Sequence, residues 1–251
     1  MAVKMTFLNV NEGFGSRRLT PQLTIGPETI MSETHRATAR EIAKKHLDSG
    51  DPVGWFEDLY SQADEDASII PWADLEPNPN FIEWLNRTRT AGSGRALKVG
   101  SGLGDDAEEL SQRGYQTTAF DISESAIAWS RGRFPQSSVS YVVADLFSPP
   151  IEWQAKFDFV LESYTLQVLP PDLRAEAVRC IASFVALDGT LLVIARGREP
   201  NKPEGEMPWP LKKDELLLFE VQGLRNVSFE DYKDNEDPPV RRFRATYRRE
   251  E

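Results

Sequence analysis

The sequence predicts an α/β fold with a mostly parallel sheet. From residue 95 onward, short apolar segments alternate with segments of helical length, an order typical of parallel strands joined by helical crossovers. The first apolar segment, 96–99, is followed directly by glycines at 100, 102 and 104. A strand, a tight turn and a helix in that order predict a ligand site in the turn.

These segments divide the chain into three parts. The expected strands are 96–99, 116–120, 139–143, 157–161, 190–195, 227–232 and 243–247, and the helices between and after them are 106–113, 123–134, 172–187 and 211–221. Three earlier helices are predicted at 32–48, 54–62 and 81–89. We expect a flexible leader over residues 1–31, a helical cap over 32–94 and an α/β core over 95–251. The basic stretch 241–250 is predicted to be a half-buried strand with a solvated face.

The composition limits the class of partner. The chain has 251 residues and a formal net charge of −11, so a nucleic-acid partner is disfavoured because no broad basic surface is available. The single cysteine, Cys180, excludes a disulfide framework. No apolar run reaches membrane-spanning length, and the first residues lack a signal-peptide pattern. We therefore expect a cytoplasmic protein with no nucleic-acid or membrane partner and no metal site.

The glycine spacing separates two kinds of nucleotide site. A dinucleotide-binding turn would have its third glycine at position 105, but that residue is Asp105 and the glycine is Gly104. Asp105 and Asp106 favour a helix N-terminus, but they would repel a pyrophosphate placed there. A nicotinamide-dependent reductase is therefore disfavoured. The turn is better suited to a ligand that lacks phosphate and carries some positive charge.

Two carboxylates stand at the ends of later strands. Asp121 ends the second predicted strand, and Asp145 opens the loop after the third. Together with Gly-x-Gly-x-Gly at 100–104, they resemble the class I S-adenosylmethionine-dependent methyltransferases over roughly residues 95–197. The resemblance implies a three-layer Rossmann-like sheet of seven mostly parallel strands, one antiparallel, behind an N-terminal helical cap. It also implies methyl transfer from S-adenosylmethionine, with S-adenosylhomocysteine as the product.

The resemblance assigns the methionine and ribose parts of the cofactor to four residues. Gly100, Ser101 and Gly102 would lie under the methionine part and offer backbone amides to it. Asp121 would accept hydrogen bonds from both ribose hydroxyls, because an ionised carboxylate satisfies a diol better than a neutral acceptor does. The alternative role for Asp121 is a cap on the helix that follows.

The adenine is assigned to the next two strand ends. Ile122 would pack on the adenine face, Asp145 would accept from its exocyclic amine, and the Leu146 amide would reach a ring nitrogen. The alternative role for Asp145 is a turn residue. Trp72, from a proline-broken loop of the cap, would form a wall of the cofactor site or pack within the cap.

The fourth strand runs into Glu162, Ser163 and Tyr164, which in the family would face the transferred methyl group. Glu162 is a candidate for binding the methionine amine or for acting as a base. Tyr164 is a candidate for contacting the methyl group or orienting the acceptor. The alternative is that this segment only leads into the next helix through side-chain hydrogen bonds.

Three further residues are candidates for the acceptor site. Trp55 belongs to the cap, where ordinary packing is the alternative. Arg196 follows the fifth strand and would recognise an acidic or polar group, unless it is simply solvated. Trp209 ends a loop that is predicted to be a lid.

Two positions depart from the family pattern. Lys98 stands two residues before the first glycine, where many members have an acid that helps to hold the cofactor's amine. The tryptophan-rich cap is similar to that of the thiopurine methyltransferase branch, but Glu162, Ser163 and Tyr164 stand where that branch has Asp-Arg-Gly. Two hypotheses follow. The chain is either a small-molecule methyltransferase, which the acidic surface and the cap favour, or a non-catalytic S-adenosylmethionine-binding module, which Lys98 favours.

Overall fold

The computed structural model describes residues 27–88 and 92–251. Within these ranges seven strands form one sheet in the order β3-β2-β1-β4-β5-β7-β6. The strands are β1 (Arg95–Val99), β2 (Gln116–Asp121), β3 (Ser140–Val143), β4 (Phe157–Ser163), β5 (Val185–Arg196), β6 (Leu224–Lys233) and β7 (Arg241–Arg249). Strand β7 runs in the opposite direction to the other six strands of this sheet. The predicted seven-stranded sheet is confirmed.

Helices cover both faces of the sheet. They are α1 (Pro27–Asp48), α2 (Trp55–Ala63), α3 (Pro79–Thr88), α4 (Asp105–Gln112), α5 (Glu124–Arg133), α6 (Pro171–Ser183) and α7 (Lys213–Val221). Helices α3, α4 and α5 pack on one face, and α6 and α7 pack on the other. The carboxyl ends of β1 to β5 therefore meet at one edge, which is where sheets of this type bind ligands.

The N-terminal helices differ in part from the prediction. Most of the predicted leader, residues 1–31, lies outside the described residues, and α1 begins at Pro27 rather than at 32. Helix α3 is not a lid over the ligand edge, because Phe81 and Leu85 are fully buried against strands β1, β4 and β5. The Trp84 indole also donates to the Thr246 hydroxyl of β7 at 3.1 Å. Of the three predicted cap helices, α3 is thus part of the sheet's outer layer.

Helices α1 and α2 pack together beside the glycine turn. Ala39 and Ala43 of α1 and Leu59 of α2 are buried in one apolar cluster with Leu103 and Trp129. This cluster fixes both helices against α5 and the turn after β1, so they form one wall of the ligand edge. No helix in the described part of the chain is long and apolar enough to cross a bilayer.

The fifth strand is longer than predicted. The sequence predicts a helix that continues to residue 187, but α6 ends at Ser183 and β5 begins at Val185, which pairs with Phe157. A Cβ on Gly189 would lie 2.8–2.9 Å from two backbone carbonyls, so glycine is needed for this close approach. The apolar residues 185–187 fit a helix or a strand equally well by periodicity, and pairing with β4 decides between them.

The prediction of a solvated face for the last strand is wrong. Strand β7 lies between β5 and β6, and the side chains of Arg242 and Arg244 are each only 2% exposed. Arg244 pairs with Glu230 at 2.8 Å and with Glu83 at 3.3 Å. Because carboxylates from β6, from the segment after β6 and from α3 neutralise these guanidinium groups, a strand that looks polar in sequence is buried on both faces.

Candidate active site

A cavity of about 980 Å³ opens at the carboxyl ends of the parallel strands. Its floor is the turn after β1 together with the ends of β2 and β3. One wall comes from α1, α2 and the loop that carries Trp72, and the opposite wall comes from the segment 232–236 that joins β6 to β7. The cavity is therefore bounded on several sides, and its size suits a nucleoside-sized ligand together with a second small molecule.

The turn after β1 requires glycine. Gly100, Gly102 and Gly104 have φ values of 58°, 52° and 95°, which lie in the left-handed region. A Cβ on Gly100 would meet the Thr165 hydroxyl at 2.5 Å. The turn thus keeps a floor free of side chains at positions 100 and 102, and such a floor lets a ligand approach the backbone.

The amides of this turn are used differently from the prediction. The Ser101 amide donates to the Phe120 carbonyl at 2.8 Å, and the Gly102 amide donates to the Asp121 carboxylate at 2.9 Å. Both amides are therefore engaged within the protein, so of the three predicted amide contacts with the cofactor, those of Ser101 and Gly102 compete with bonds inside the chain. The turn would therefore contribute to ligand binding mainly through the open space that its glycines leave above the backbone.

Asp121 stands at the cavity end of β2, and it is not the residue that caps the helix after it. Its side chain lines the cavity and accepts hydrogen bonds from the amides of Gly102 and Ser123, at 2.9 and 3.1 Å. The cap of α5 is Ser123, whose hydroxyl accepts from the Ala126 amide at 3.0 Å. Burial raises the pKa of Asp121, whereas the two amides and the nearby Lys98 oppose that rise.

The next two strand ends line the same part of the cavity. Ile122, Asp145 and Leu146 all contribute to its wall. Asp145 also accepts a hydrogen bond from the Phe147 amide at 2.8 Å, so it stabilises its own turn as well. The structure thus brings the two predicted carboxylates, Asp121 and Asp145, to one side of one cavity.

Lys98 is almost fully buried, and it is one of the residues that line the cavity. Its side chain is 3% exposed, and its ammonium donates to the carbonyls of Val99 and Gly100 at 2.8 and 3.1 Å. The ammonium lies 3.9 Å from the Asp106 carboxylate. Burial lowers the pKa of Lys98, and the charges of Asp106, Glu162 and Asp121 oppose that shift. The backbone carbonyls and Asp106 thus partly neutralise the cation that departs from the family pattern.

Glu162 lies behind the cavity wall. It is fully buried and is not among the residues that line the cavity. Its Oε1 accepts from the amides of Thr165 and Leu166 at 2.8 and 2.9 Å. Its Oε2 has no hydrogen-bond partner in the described part of the chain, and burial raises the pKa of Glu162 to about 7. This placement fits a support for the 163–166 segment better than a base in contact with ligand.

Tyr164 does line the cavity. Its backbone has a φ of 67°, which is strained for a non-glycine residue. The Arg242 guanidinium lies over its ring at 4.9 Å, and the Asn80 side-chain amide donates to its hydroxyl at 3.2 Å. Burial raises the pKa of Tyr164. A strained, oriented phenol at the cavity wall is able to contact an acceptor.

The remaining candidates separate into two groups. Trp72 and Arg196 line the cavity, and the Trp72 indole donates to the Tyr60 hydroxyl at 2.9 Å. Trp55 does not line it, because its side chain is stacked on Phe56 and only 1% exposed. Trp209 also stands away from the cavity, with the Arg174 guanidinium 5.9 Å from its ring.

Several cavity residues carry no signal in the sequence and were missed. Asn78 precedes α3 and Asn80 lies in its first turn, but in the sequence their Asn-Pro-Asn pattern indicates only a turn. Arg242 belongs to a strand whose sequence pattern predicts that its polar side chains face solvent. Tyr60 is indistinguishable in sequence from the other aromatic residues of α2. No local signal marks these residues, because the β6–β7 pairing and the cap packing bring them to the cavity.

Comparison with known proteins agrees with this geometry. Residues 96–189 match the family model described as a methyltransferase domain. An uncharacterised methyltransferase of Staphylococcus carnosus is 24% identical over 149 residues, which are 59% of this chain and 66% of that protein. The match therefore spans just under two thirds of the relative.

Solved structures show the same fold. The N-methyltransferase NodS of Bradyrhizobium japonicum, in complex with S-adenosylhomocysteine, superimposes with a TM-score of 0.60 and 19% identity over 78% of this chain and all of that chain. The 1,6-didemethyltoxoflavin-N1-methyltransferase of Burkholderia thailandensis, with 1,6-didemethyltoxoflavin and S-adenosylhomocysteine bound, has a TM-score of 0.54 and 16% identity over 93% of this chain and 94% of that chain.

Proposed function

We propose that this chain is a class I S-adenosylmethionine-dependent methyltransferase and that it transfers a methyl group from S-adenosylmethionine to a small-molecule acceptor, a proposal supported by the matches to methyltransferases. The observation that carries the proposal is the meeting of three features in one cavity: the glycine turn, Asp121 and Asp145. A floor without side chains and two carboxylates along one edge match a nucleoside that has no phosphate.

The adenosine would lie along the ends of β2 and β3. Asp121 accepts one hydrogen bond from the protein at each oxygen, so each oxygen retains a lone pair for a ribose hydroxyl. Ile122 would contact the adenine face, Asp145 would accept from the exocyclic amine, and the Leu146 amide would meet a ring nitrogen. Trp72 would close the wall opposite the turn. Gly100, Ser101 and Gly102 would form the floor beneath the methionine part.

The acceptor would occupy the part of the cavity between Tyr164 and Arg196. No carboxylate in the described part of the chain lies within ion-pair distance of the Arg196 guanidinium, and burial lowers its pKa. A half-buried cation without an ion-pair partner favours an anionic group on the acceptor, such as a carboxylate. The net charge of −11 and the walls around the cavity favour a small molecule over a nucleic acid.

The chain's own residues would act mainly by positioning. The bound cofactor supplies a methyl group on a sulfonium, which the acceptor displaces in line. The cavity walls would exclude water and align the two molecules, and alignment of this kind accounts for much of the acceleration of displacement reactions. The Tyr164 hydroxyl would orient the acceptor. Glu162 would hold the segment that carries Tyr164 through the Thr165 and Leu166 amides.

The test combines binding with turnover. Calorimetry should show one S-adenosylhomocysteine site per chain, and incubation with S-adenosylmethionine and a panel of carboxylate-bearing small molecules should give products heavier by one methylene in mass spectra. The matched control is Asp121→Ala, which should lose both signals. An absence of heat with the wild-type chain would reject the proposal.

A non-catalytic cofactor-binding module is the second candidate. Lys98 suggests it in the sequence, but the carbonyls of Val99 and Gly100 and the Asp106 carboxylate partly offset the positive charge of Lys98. Binding without turnover across a broad acceptor panel would favour it. We also propose a cytoplasmic location, which is supported by the single cysteine, Cys180, buried and unpaired.

A further inference from the structure

We propose that Asp106 binds the α-ammonium group at the methionine end of the cofactor. This inference rests on the proposed function and deepens it, because it assigns a cofactor contact to a residue of α4. Asp106 lines the cavity, and its side chain is 12% exposed. Its carboxylate is therefore accessible from the cavity while being mostly enclosed by protein.

The Asp106 carboxylate is held firmly and still has free acceptor capacity. Its Oδ1 accepts from the Asn78 amide at 2.8 Å, and its Oδ2 accepts from the Ser163 hydroxyl at 2.8 Å. A carboxylate oxygen has two lone pairs, so each oxygen can accept one more hydrogen bond. Contacts from the loop before α3 and from the end of β4 thus orient the group in advance.

The neighbouring acceptors are already used. Lys98 donates to the carbonyls of Val99 and Gly100 at 2.8 and 3.1 Å, and its cation would repel a second ammonium at those atoms. The Lys98 ammonium lies farther from the Asp106 carboxylate, at 3.9 Å, so this repulsion is weaker there and is opposed by the negative charge of Asp106. Asp105 forms a two-point ion pair with Arg133, at 2.7 and 2.8 Å. The fully buried Glu162 does not reach the cavity wall. Near β1 and β4, an ammonium would find its best carboxylate at Asp106.

The position also fits the length of the cofactor. Asp121 and Asp145, the proposed contacts of the adenosine, follow β2 and β3 on one side of β1. Asp106 contacts Ser163 at the end of β4, and β4 is the strand that pairs with β1 on its other side. An extended cofactor that crosses the glycine turn would have its amino-acid end beside Asp106.

The experiment compares two ligands on three proteins. S-adenosylhomocysteine and its analogue with hydrogen in place of the α-amino group are titrated into wild type, Asp106→Asn and Asp105→Asn. We expect Asp106→Asn to lower the affinity for S-adenosylhomocysteine by about 10- to 100-fold, as for loss of one charged hydrogen bond. The affinity for the deaminated analogue should be nearly unchanged. Asp105→Asn removes the same charge from the same helix start and should preserve the preference for the amine.

The outcomes separate this inference from the proposed function. If wild type binds neither ligand, the proposed function fails and the Asp106 role fails with it. Suppose instead that wild type binds S-adenosylhomocysteine, and that Asp106→Asn lowers the affinity for both ligands equally or for neither of them. The proposed function then stands and the Asp106 role is overturned. Asp106→Glu keeps the charge and should retain part of the amine preference. Thermal unfolding of each variant verifies that it is folded.

Discussion

The carboxylate of Asp121 accepts a hydrogen bond from the amide of Gly102 across 2.9 Å. This contact ties the end of β2 to the turn that follows β1, and the Ser123 amide holds the other carboxylate oxygen at 3.1 Å. The carboxylate is therefore fixed before any ligand arrives. A group oriented in this way loses little conformational entropy on binding, which favours tight recognition of a diol.

The first prediction concerns this carboxylate. Asp121→Asn should lower the affinity for S-adenosylhomocysteine by at least about tenfold, because a charged acceptor is replaced by a neutral one at the ribose hydroxyls. Ser123→Ala is the control, since it removes the cap of α5 and leaves Asp121 in place. The control should lose about 1 kcal/mol of stability with little change in affinity. Calorimetry and thermal unfolding measure the two effects, and equal affinity losses in both variants would contradict the proposed role.

The second prediction concerns the glycine floor. Gly100→Ala places a Cβ 2.5 Å from the Thr165 hydroxyl at a φ of 58°, so we expect a stability loss of about 1–3 kcal/mol and weaker cofactor binding. A Cβ on Gly132 in α5 would meet nothing within 4 Å beyond the helix's own backbone, and Gly132→Ala should stabilise the protein by up to about 1 kcal/mol. Chemical denaturation of both variants tests the contrast. A tolerated Gly100→Ala would show that the floor adjusts easily.

The third prediction concerns Glu162 and pH. Its pKa is raised from 4.5 in the unfolded reference to about 7 in the folded chain. Between these values the folded state holds a proton that the unfolded state has lost, so this group's contribution to stability is present at low pH and declines as pH rises through 7. Glu162→Gln cannot titrate and should remove this dependence.

Denaturation at several pH values measures the effect. The free energy of unfolding of Glu162→Gln, relative to wild type, should rise by up to about 3 kcal/mol between pH values near 4 and near 8. The comparison with wild type cancels the titration of the other carboxylates. A difference that is constant with pH would mean that Glu162 keeps an ordinary pKa despite its burial.

The fourth prediction concerns Arg196. Because its half-buried guanidinium has no ion-pair partner in the described part of the chain, Arg196→Gln should leave the unfolding midpoint unchanged or raise it. The same variant should raise the KM for a carboxylate-bearing acceptor by about tenfold or more, with a smaller effect on kcat. A neutral analogue of the same acceptor is the control. Equal KM values for the charged acceptor in both proteins would contradict anion recognition by Arg196.

The sequence predicts the parts of the site that depend on local rules. Positive φ at Gly100 and Gly102, and carboxylates at the ends of β2 and β3, follow from the strand-turn-helix pattern and the parallel topology. Residues that depend on distant pairing are misplaced. The pattern predicts a solvated Arg242, although the segment after β6 supplies its ion-pair partners. It also predicts Trp55 in the acceptor site, although α2 turns that side chain into the cap. Periodicity reports which residues share a face, but not which element covers that face.

A structure of the chain with S-adenosylhomocysteine tests the central claim most directly. The account predicts the ribose hydroxyls within hydrogen-bond distance of the Asp121 carboxylate, the adenine against Ile122 beside Asp145, and the homocysteine part above Gly100. A ligand bound elsewhere, or one whose ribose faces away from Asp121, would contradict the account.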